Sequence, residues 1–346
     1  MKQILLTLDY ELYGNGSGNI YTHIIEPTNS ILDIANRYNA KITFFVEIVE
    51  FWRIEEEWLK GNNMGYETNP INDIRKQLQY AYRQGHDVQL HIHPQWVDAN
   101  YVNGKWIVNF DDWRLGGYNK SGEYSLQNLF IKGKTTLEEW LRPVDPTYTC
   151  LALRAGGYNI QPSKEIVKAM QLSGIQIDSS IFPGGKELGV LSRYDYSDIN
   201  EDMQYWYVGE TLEEQGNSEI IELPIVAFPI RRWKKFASIE RIKSLLQNGK
   251  SAKDSFIAKT SHSKSSRWDK VKYFFQIEWQ TWDYCLFSPS LHKHFLRKIK
   301  SQQRRDVFTL VGHPKGFTGR RGLEYLLLAT RDDYKLITIR DFYDAK

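Results

Sequence analysis

At 346 residues, with 41% apolar and 25% charged residues, the chain can bury a substantial core and has the balance of a soluble globular protein, not of a disordered or fibrous one. A formal net charge of +3 is too small to imply nucleic acid, and no apolar stretch approaches the roughly 18 residues of a membrane span. The two cysteines, Cys150 and Cys285, each sit inside an apolar run and read as buried free thiols of a reducing compartment. Eleven Trp and 21 Tyr are more than a core of this size needs; such rings either wall a sugar-binding cleft or simply fill an aromatic core.

In chain order, Ile4–Leu8 is a short apolar run closing on Asp9, the pattern of a first strand and not of a signal peptide, which places the chain in the cytoplasm. Thr28–Tyr38 has helical spacing behind Pro27. Lys41–Glu47 is a β-branched and aromatic strand, Ile71–Gln84 a helix closed by Gly85, and Asp87–His91 the third strand. Leu126–Leu141 and Ser163–Leu172 are helices beside strands near Cys150–Leu153 and Ile175–Ile177. Residues 183–218 are loop-rich, and Glu219–Phe228 is a strand running through Pro224. Alternation returns with Pro289–Ser301 as helix, Val307–Val311 as strand, Gly322–Thr330 as helix and Tyr334–Ile339 as strand. This rhythm predicts parallel strands with helical crossovers, in one barrel-like α/β domain over residues 1–346.

A basic block interrupts it. Between Arg231 and Phe275 there are 13 Lys or Arg against Glu240, Asp254 and Asp269, an excess of ten positive charges. We take it as part of an insertion at about 231–285, which is either a solvated face or a surface for phosphates and anionic lipid.

In parallel α/β folds reactive residues gather at the carboxyl ends of strands. The predicted ends here carry Asp9 and Glu11, His91 and His93, Arg154, Asp178 and His313. Singly, each reads as a buried ion pair or a satisfied core histidine; together they suggest one barrel mouth. His91 and His93, two apart on extended chain, point the same way and can present two imidazoles to one metal. A carboxylate completes a facial set of three ligands. Asp9 and Glu11 are likewise two apart, so one carboxylate can bind metal while the other stays free as a base. His292 and His294 lie two apart in a helix and do not face each other, and His23, His86 and His262 lie in polar loops.

These residues sit in motifs that resemble, in order, those of the polysaccharide deacetylases of NodB-homology type, related to the carbohydrate esterases of family 4. Thr7-Leu8-Asp9-Tyr10-Glu11 is similar to the first motif, Ile42-Thr43-Phe44-Phe45-Val46 to the following strand, and Gly85-His86-Asp87-Val88 to the segment leading to the metal histidines. Arg154-Ala155-Gly156-Gly157-Tyr158, Asp178-Ser179-Ser180-Ile181-Phe182-Pro183 and Leu310-Val311-Gly312-His313 resemble the remaining motifs. Two positions depart: Gln95 stands where the family's second histidine is usual, so the role passes to His93, and Tyr10 stands where a metal-binding Asp usually follows the base, so that role passes to Glu11.

The resemblance implies a distorted (β/α) barrel and a metal-dependent amide hydrolysis. Glu11, His91 and His93 would hold a divalent ion, zinc by preference; Asp9 would be the base, Arg154 its partner and His313 the acid. Asp178 would pair with His313 or Arg154, while Tyr158 and Leu310 would line the substrate, Leu310 as an apolar wall around the acetyl methyl. The implied substrate is an N-acetylated amino sugar, nucleotide- or lipid-linked, met during O-antigen or capsule assembly, with the basic block touching a diphosphate headgroup or an anionic membrane surface. The alternatives are a non-catalytic carbohydrate-binding descendant and a hydrolase of a small amide or ureide.

Overall fold

The computed structural model describes residues 1–233, 275–317 and 319–346. Most of the basic block falls outside these residues. Its two flanks are described, and they pair: β12 (Ala227–Arg231) runs antiparallel to β13 (Ile277–Thr281), with Arg231 opposite Ile277.

The main sheet has nine strands. β1 (Lys2–Tyr10) lies at its middle. Along one edge its upper half pairs with β2 (Ile42–Glu47) and its lower half with β15 (Tyr334–Ile337); along the other edge it pairs with β14 (Val307–Leu310). From β2 the sheet continues through β3 (Asp87–Ile92), β6 (Ala152–Ala155), β7 (Ile177–Asp178) and β11 (Ile221–Glu222), all parallel, to the antiparallel β10 (Trp206–Tyr207). The chain beyond β11 curls back: Ile225 bridges Thr309 of β14, and Val226 N–H donates to the Thr309 carbonyl at 2.8 Å. The sheet thereby closes on itself, and the distorted α/β barrel expected from the sequence is what forms. Two small hairpins, β4–β5 (Asn100–Val102, Lys105–Ile107) and β8–β9 (Lys186–Leu188, Arg193–Asp195), stand outside it.

Two-residue periodicity decides what lies inside. In β1, Ile4, Leu6, Leu8 and Tyr10 face the helices, while Leu5, Thr7 and Asp9 face the barrel interior. Leu5, Phe45, Ile177, Ile221, Leu223, Val307 and Ile337 fill the lower interior as one apolar cluster. Helix residues Ile339 and Phe342, on a turn capped by Thr338 and Asp341, close it from below. With the bottom packed by hydrocarbon, the polar inner residues are confined to the upper, carboxyl end.

The crossover helices are α1 (Glu26–Arg37), α2 (Ile48–Leu59), α3 (Pro70–Arg83), α4 (Leu126–Leu141), α5 (Lys164–Ser173), α6 (Pro289–Ser301) and α7 (Arg320–Thr330). Most match the predicted segments within two residues. α2 does not: Ile48–Leu59 follows β2 with no turn signal, and its N-terminus is capped by Glu47, the last residue of the strand, whose Oε1 accepts from Val49 and Glu50 N–H at 3.1 and 3.2 Å. The strand predicted over Glu219–Phe228 is broken at Leu223–Val226, where the chain leaves β7 to reach β14.

Candidate metal centre

The upper ends of β1 and β3 bring Glu11, His91 and His93 together, although β2 lies between the two strands. All three are buried, and one ligand atom from each lies within 4.8 Å of the others. Glu11 Oε2 stands 2.6 Å from His93 Nε2 and 3.4 Å from His91 Nε2. Neither Nε2 makes a well-directed hydrogen bond, and both are shut off from solvent. Both imidazoles aim at one carboxylate oxygen in a site closed to solvent, so the three donor atoms converge on a point that a cation can occupy. His91 Nδ1 donates to the Arg154 carbonyl at 2.8 Å, which can only accept, so the ring proton is fixed on Nδ1 and Nε2 offers a lone pair. Two imidazole nitrogens and one carboxylate oxygen are the donor set of a catalytic zinc-type site, and the residues fit such an ion.

Gln95 stands behind the set. Its Nε2 donates to His93 Nδ1 at 2.9 Å and to the Gly14 carbonyl at 3.3 Å, while its Oε1 has no partner. In this orientation His93 keeps its proton on Nε2; turning the amide over presents Oε1 to Nδ1–H and frees Nε2 for a metal. The structure therefore groups His93 with Glu11 and His91 and places Gln95 behind its ring as a hydrogen-bond partner. Gly156 is required by the same ring, since a Cβ there would lie 2.4 Å from His93 Nδ1.

Beside the triad lie two ion pairs. Asp9 Oδ1 accepts from Arg154 Nη1 at 2.6 Å. Arg154 is fully buried, rests on the Phe45 ring at 4.2 Å, and donates further to Thr7 Oγ1 and to the carbonyl and hydroxyl of Ser179. Burial alone would push the Asp9 carboxyl up; the charges of Arg154, His91 and His313 more than offset this and hold it below its usual range. The other Asp9 oxygen faces His313 Nε2 at 3.5 Å. His313 Nδ1 in turn donates to Asp283 Oδ2 at 2.9 Å. Burial opposes charging that ring, but the hydrogen bond and charge of Asp283, with the charge of Asp9, raise its pKa above the ordinary imidazole value.

Three expectations are corrected. Asp178 pairs with neither His313 nor Arg154: its carboxylate accepts from the N–H and hydroxyl of Ser180 at 2.8 and 2.9 Å and faces Glu222 across the β7–β11 register. Burial pushes both carboxyls up, Glu222 well above its usual range. Leu310 is in register with Leu6 on the helix-facing side of the sheet, and its side chain lies away from the Asp9 face. The inner position is its neighbour Val311, fully buried and bridged to Asp283. His86 is no solvated loop residue: it is buried, its Nδ1 accepts from Ile42 N–H at 3.0 Å, and burial, with Lys41 nearby, lowers its pKa to about 4.

Tyr158 is half-buried at the mouth, in the left-handed backbone region (φ 63°), with its ring 5.3 Å from Phe182. Burial first, and then the charge of Asp9, keep its hydroxyl well above the usual range. On the other side the Trp113 ring meets His93 at 6.1 Å and Phe110 meets Trp113 at 5.8 Å. Phe110 leads into a groove of about 670 Å³, walled by Tyr66, Tyr101 and Trp106 and floored by the loop Asn15–Asn19. Gly16 lets that loop approach: φ is +80°, and a Cβ would lie 2.7 Å from Trp106 Cβ.

Asp283 and Lys315, whose Nζ lies 2.7 Å from Glu11 Oε1, were not found from sequence. A lone acid inside the apolar run Trp282–Phe287 was the available signal for Asp283. For Lys315 there was only its place two residues after His313.

No protein-family model matches the chain, and no curated protein matches it. Among solved structures it is similar to a putative polysaccharide deacetylase from Mycobacterium smegmatis (12% identity, TM-score 0.48, covering 99% of this chain and 89% of that one). It is similar also to Puue allantoinase (10%, 0.47, covering 99% and 89%) and to a 4-alpha-glucanotransferase from Thermococcus litoralis (10%, 0.48, covering 100% of this chain and 40% of that one). At these scores and identities the reading of the site rests on its own residues.

Proposed function

We propose that the protein is a divalent-metal-dependent deacetylase that hydrolyses the N-acetyl group of an amino sugar. The observation that carries this reading is the meeting, at the carboxyl end of the barrel strands, of the Glu11–His91–His93 donor set with a carboxylate held by an arginine and an imidazole held by a second carboxylate.

Glu11, His91 and His93 would hold the ion, which when bound supplies a Lewis acid for the acetyl carbonyl and lowers the pKa of a water toward about 7. Asp9, kept ionised by Arg154, takes a proton from the attacking water through the oxygen that Arg154 leaves open. As the new C–O bond forms and the C–N bond breaks, His313 donates its Nε2 proton to the departing nitrogen, and Asp283 stabilises the ring while it carries charge. Acetate and a free amine result. An amide needs this donor because an unprotonated amine leaves poorly. The aromatic groove that begins at Phe110, beside Trp113, supports a sugar substrate, since ring faces stack on pyranose C–H faces while the polar loop Asn15–Asn19 meets hydroxyls.

The carrier of the sugar is read from the basic block: ten excess positive charges suit a nucleotide- or lipid-linked diphosphate of surface-polysaccharide assembly. Acetate release from a panel of N-acetylhexosamine derivatives, against small amides and ureides, tests the reading, with metal removed by chelator and restored. Release from ureides alone would move the chemistry to another amide; stoichiometric sugar binding without release would make the protein a binding module.

A further inference from the structure

A carboxylate that ligates a metal has two oxygens, and in Glu11 they face different partners. Oε2 looks at the two imidazoles. Oε1 is taken by Lys315 Nζ at 2.7 Å. The same ammonium donates to the Leu12 carbonyl at 2.6 Å and lies over the Tyr13 ring at 5.5 Å, with its side chain only 15% exposed. Lys315 is carried on the turn Pro314–Gly316, directly after His313, so its position is fixed by the strand end that bears the imidazole. The Leu12 N–H meanwhile donates to Glu50 Oε2 at 3.3 Å. The residue after Glu11 is thus held from both sides.

The charges around Glu11 close on the same point. Glu47 and Glu50 lie beside it, and burial, with the neighbouring carboxylates, pushes both well above the usual carboxyl range. Glu11 carries one negative charge and Lys315 one positive; Asp9 and Arg154 cancel likewise. An ion entering between His91 and His93 meets a Glu11 carboxylate whose charge Lys315 already offsets. It would be bound less tightly than by an unpaired carboxylate, and more of its charge would remain available to polarise a substrate.

We propose that Lys315 is a positioning residue of the metal centre, which by occupying Oε1 limits Glu11 to one coordinating oxygen and offsets its charge. This rests on the metal reading of the triad. It goes beyond that reading in assigning the strength of the site, and hence its Lewis acidity, to a lysine that is not itself a ligand.

The test is the affinity of the full chain, stripped with chelator, for Zn2+ and Co2+, measured by competition with a chromophoric chelator. Lys315→Met should bind either ion about tenfold or more tighter than wild type, because a positive charge a few ångströms from a dication is removed even at an effective dielectric near 20. Lys315→Arg, which keeps the charge, should stay within about threefold of wild type on the same grounds. In the Co2+-loaded protein the visible absorption should weaken in Lys315→Met, as Glu11 offers its second oxygen and coordination rises. If Lys315→Met does not fold, Lys315→Gln, which retains a donor for the Leu12 carbonyl, takes its place with the same expected gain. Equal or weaker binding by a folded, uncharged variant would overturn the proposal and leave Lys315 as a pin for the turn at Leu12. No uptake of either ion by wild type would remove the metal reading and this proposal together. Tighter binding by Lys315→Met with no amide hydrolysed by any form would sink only the deacetylase reading.

Discussion

Asp283 reaches His313 from 30 positions earlier in the chain and across the ribbon that brackets the basic segment, and it is the residue on which the proposed acid role depends. Its Oδ1 accepts from Cys285 and Leu286 N–H at 2.9 and 3.2 Å, which fixes Oδ2 on the imidazole. A histidine whose folded pKa is raised is competent as an acid below that pKa and loses the proton as pH rises through it. Asp283→Asn should therefore move the alkaline limb of the kcat–pH profile toward lower pH, while His313→Ala should lower kcat by about 10²–10⁴ with metal content unchanged. An unmoved alkaline limb in Asp283→Asn would detach Asp283 from the acid. The ligands have their own test, by metal stoichiometry after dialysis. His91→Ala and His93→Ala should each lose the ion; Asp9→Asn should keep it and lose activity; Gln95→Ala should keep it with weaker affinity, by about 10–100-fold for a residue that only orients a ligand. Loss of the ion in Gln95→Ala with retention in His93→Ala would exchange the two assignments. That Asp9, Glu11, His91, Arg154 and His313 meet at one end of the sheet was legible because a strand end announces itself by where an apolar run stops. Val311 was not, because Leu310 is the more apolar neighbour and a one-residue slip reverses the face of a strand. Lys315 and Asp283 act through contacts separated by 304 and 30 positions, which no local pattern encodes.

Among the elements, β7 and β11 meet through two buried carboxyls, Asp178 and Glu222, in direct register. Glu222 Oε1 accepts from Ile181 N–H at 3.1 Å, and a proton held between the two carboxyls would satisfy its Oε2. Both folded pKa values are raised, which for a carboxyl means that the neutral form is favoured by the fold. The stability this contributes is fully present below the unfolded pKa and is lost as pH rises through the folded values. Glu222→Gln carries its own hydrogens and needs no proton from solution. Its melting temperature relative to wild type should rise progressively between about pH 5 and 8, the range in which unfolded carboxyls are ionised. A difference that stays constant with pH would show that the pair does not share a proton. The same element scale explains which segments were readable. β1 and β2 stand out as apolar runs, whereas β3, equally buried, alternates polar and apolar residues behind the Gly85 stop signal. α2 was missed because Ile48-Val49-Glu50-Phe51-Trp52 continues the β-branched and aromatic composition of β2, and its start is marked only by Glu47 acting as a cap. That omission hid Glu47 and Glu50 as neighbours of Glu11. The strand through Pro224 was drawn too long because closing the barrel, a tertiary demand, bends the chain there.

At the scale of the whole molecule the charge is divided unevenly. The chain carries +3 and residues 231–275 carry +10, which leaves −7 on the rest. Arg232, at the start of this segment, already has a partner in Glu278 at 2.5 Å, so it belongs to the ribbon and not to a free basic surface. The charges beyond it, from Lys234 to Lys272, lie outside the described residues. A net-acidic body repels phosphate, so a phosphorylated or lipid-linked sugar would be drawn to this chain only through that segment. Its contribution would be long-range and would fall as added salt shortens the screening length, from about 10 Å at 0.1 M. Reversing Lys234, Lys235, Arg241 and Lys243 to Glu should raise KM for a diphosphate-linked N-acetylhexosamine by about tenfold or more at low salt. The gap from wild type should shrink between about 50 and 300 mM salt as exposed charges are screened. An uncharged N-acetylated oligosaccharide should be turned over alike by both proteins, because the Glu11–His91–His93 centre and the Asp9 and His313 pairs are untouched. Equal KM on both substrates at every salt concentration would return the segment to a solvated face and remove the carrier from the proposed function while leaving its chemistry in place.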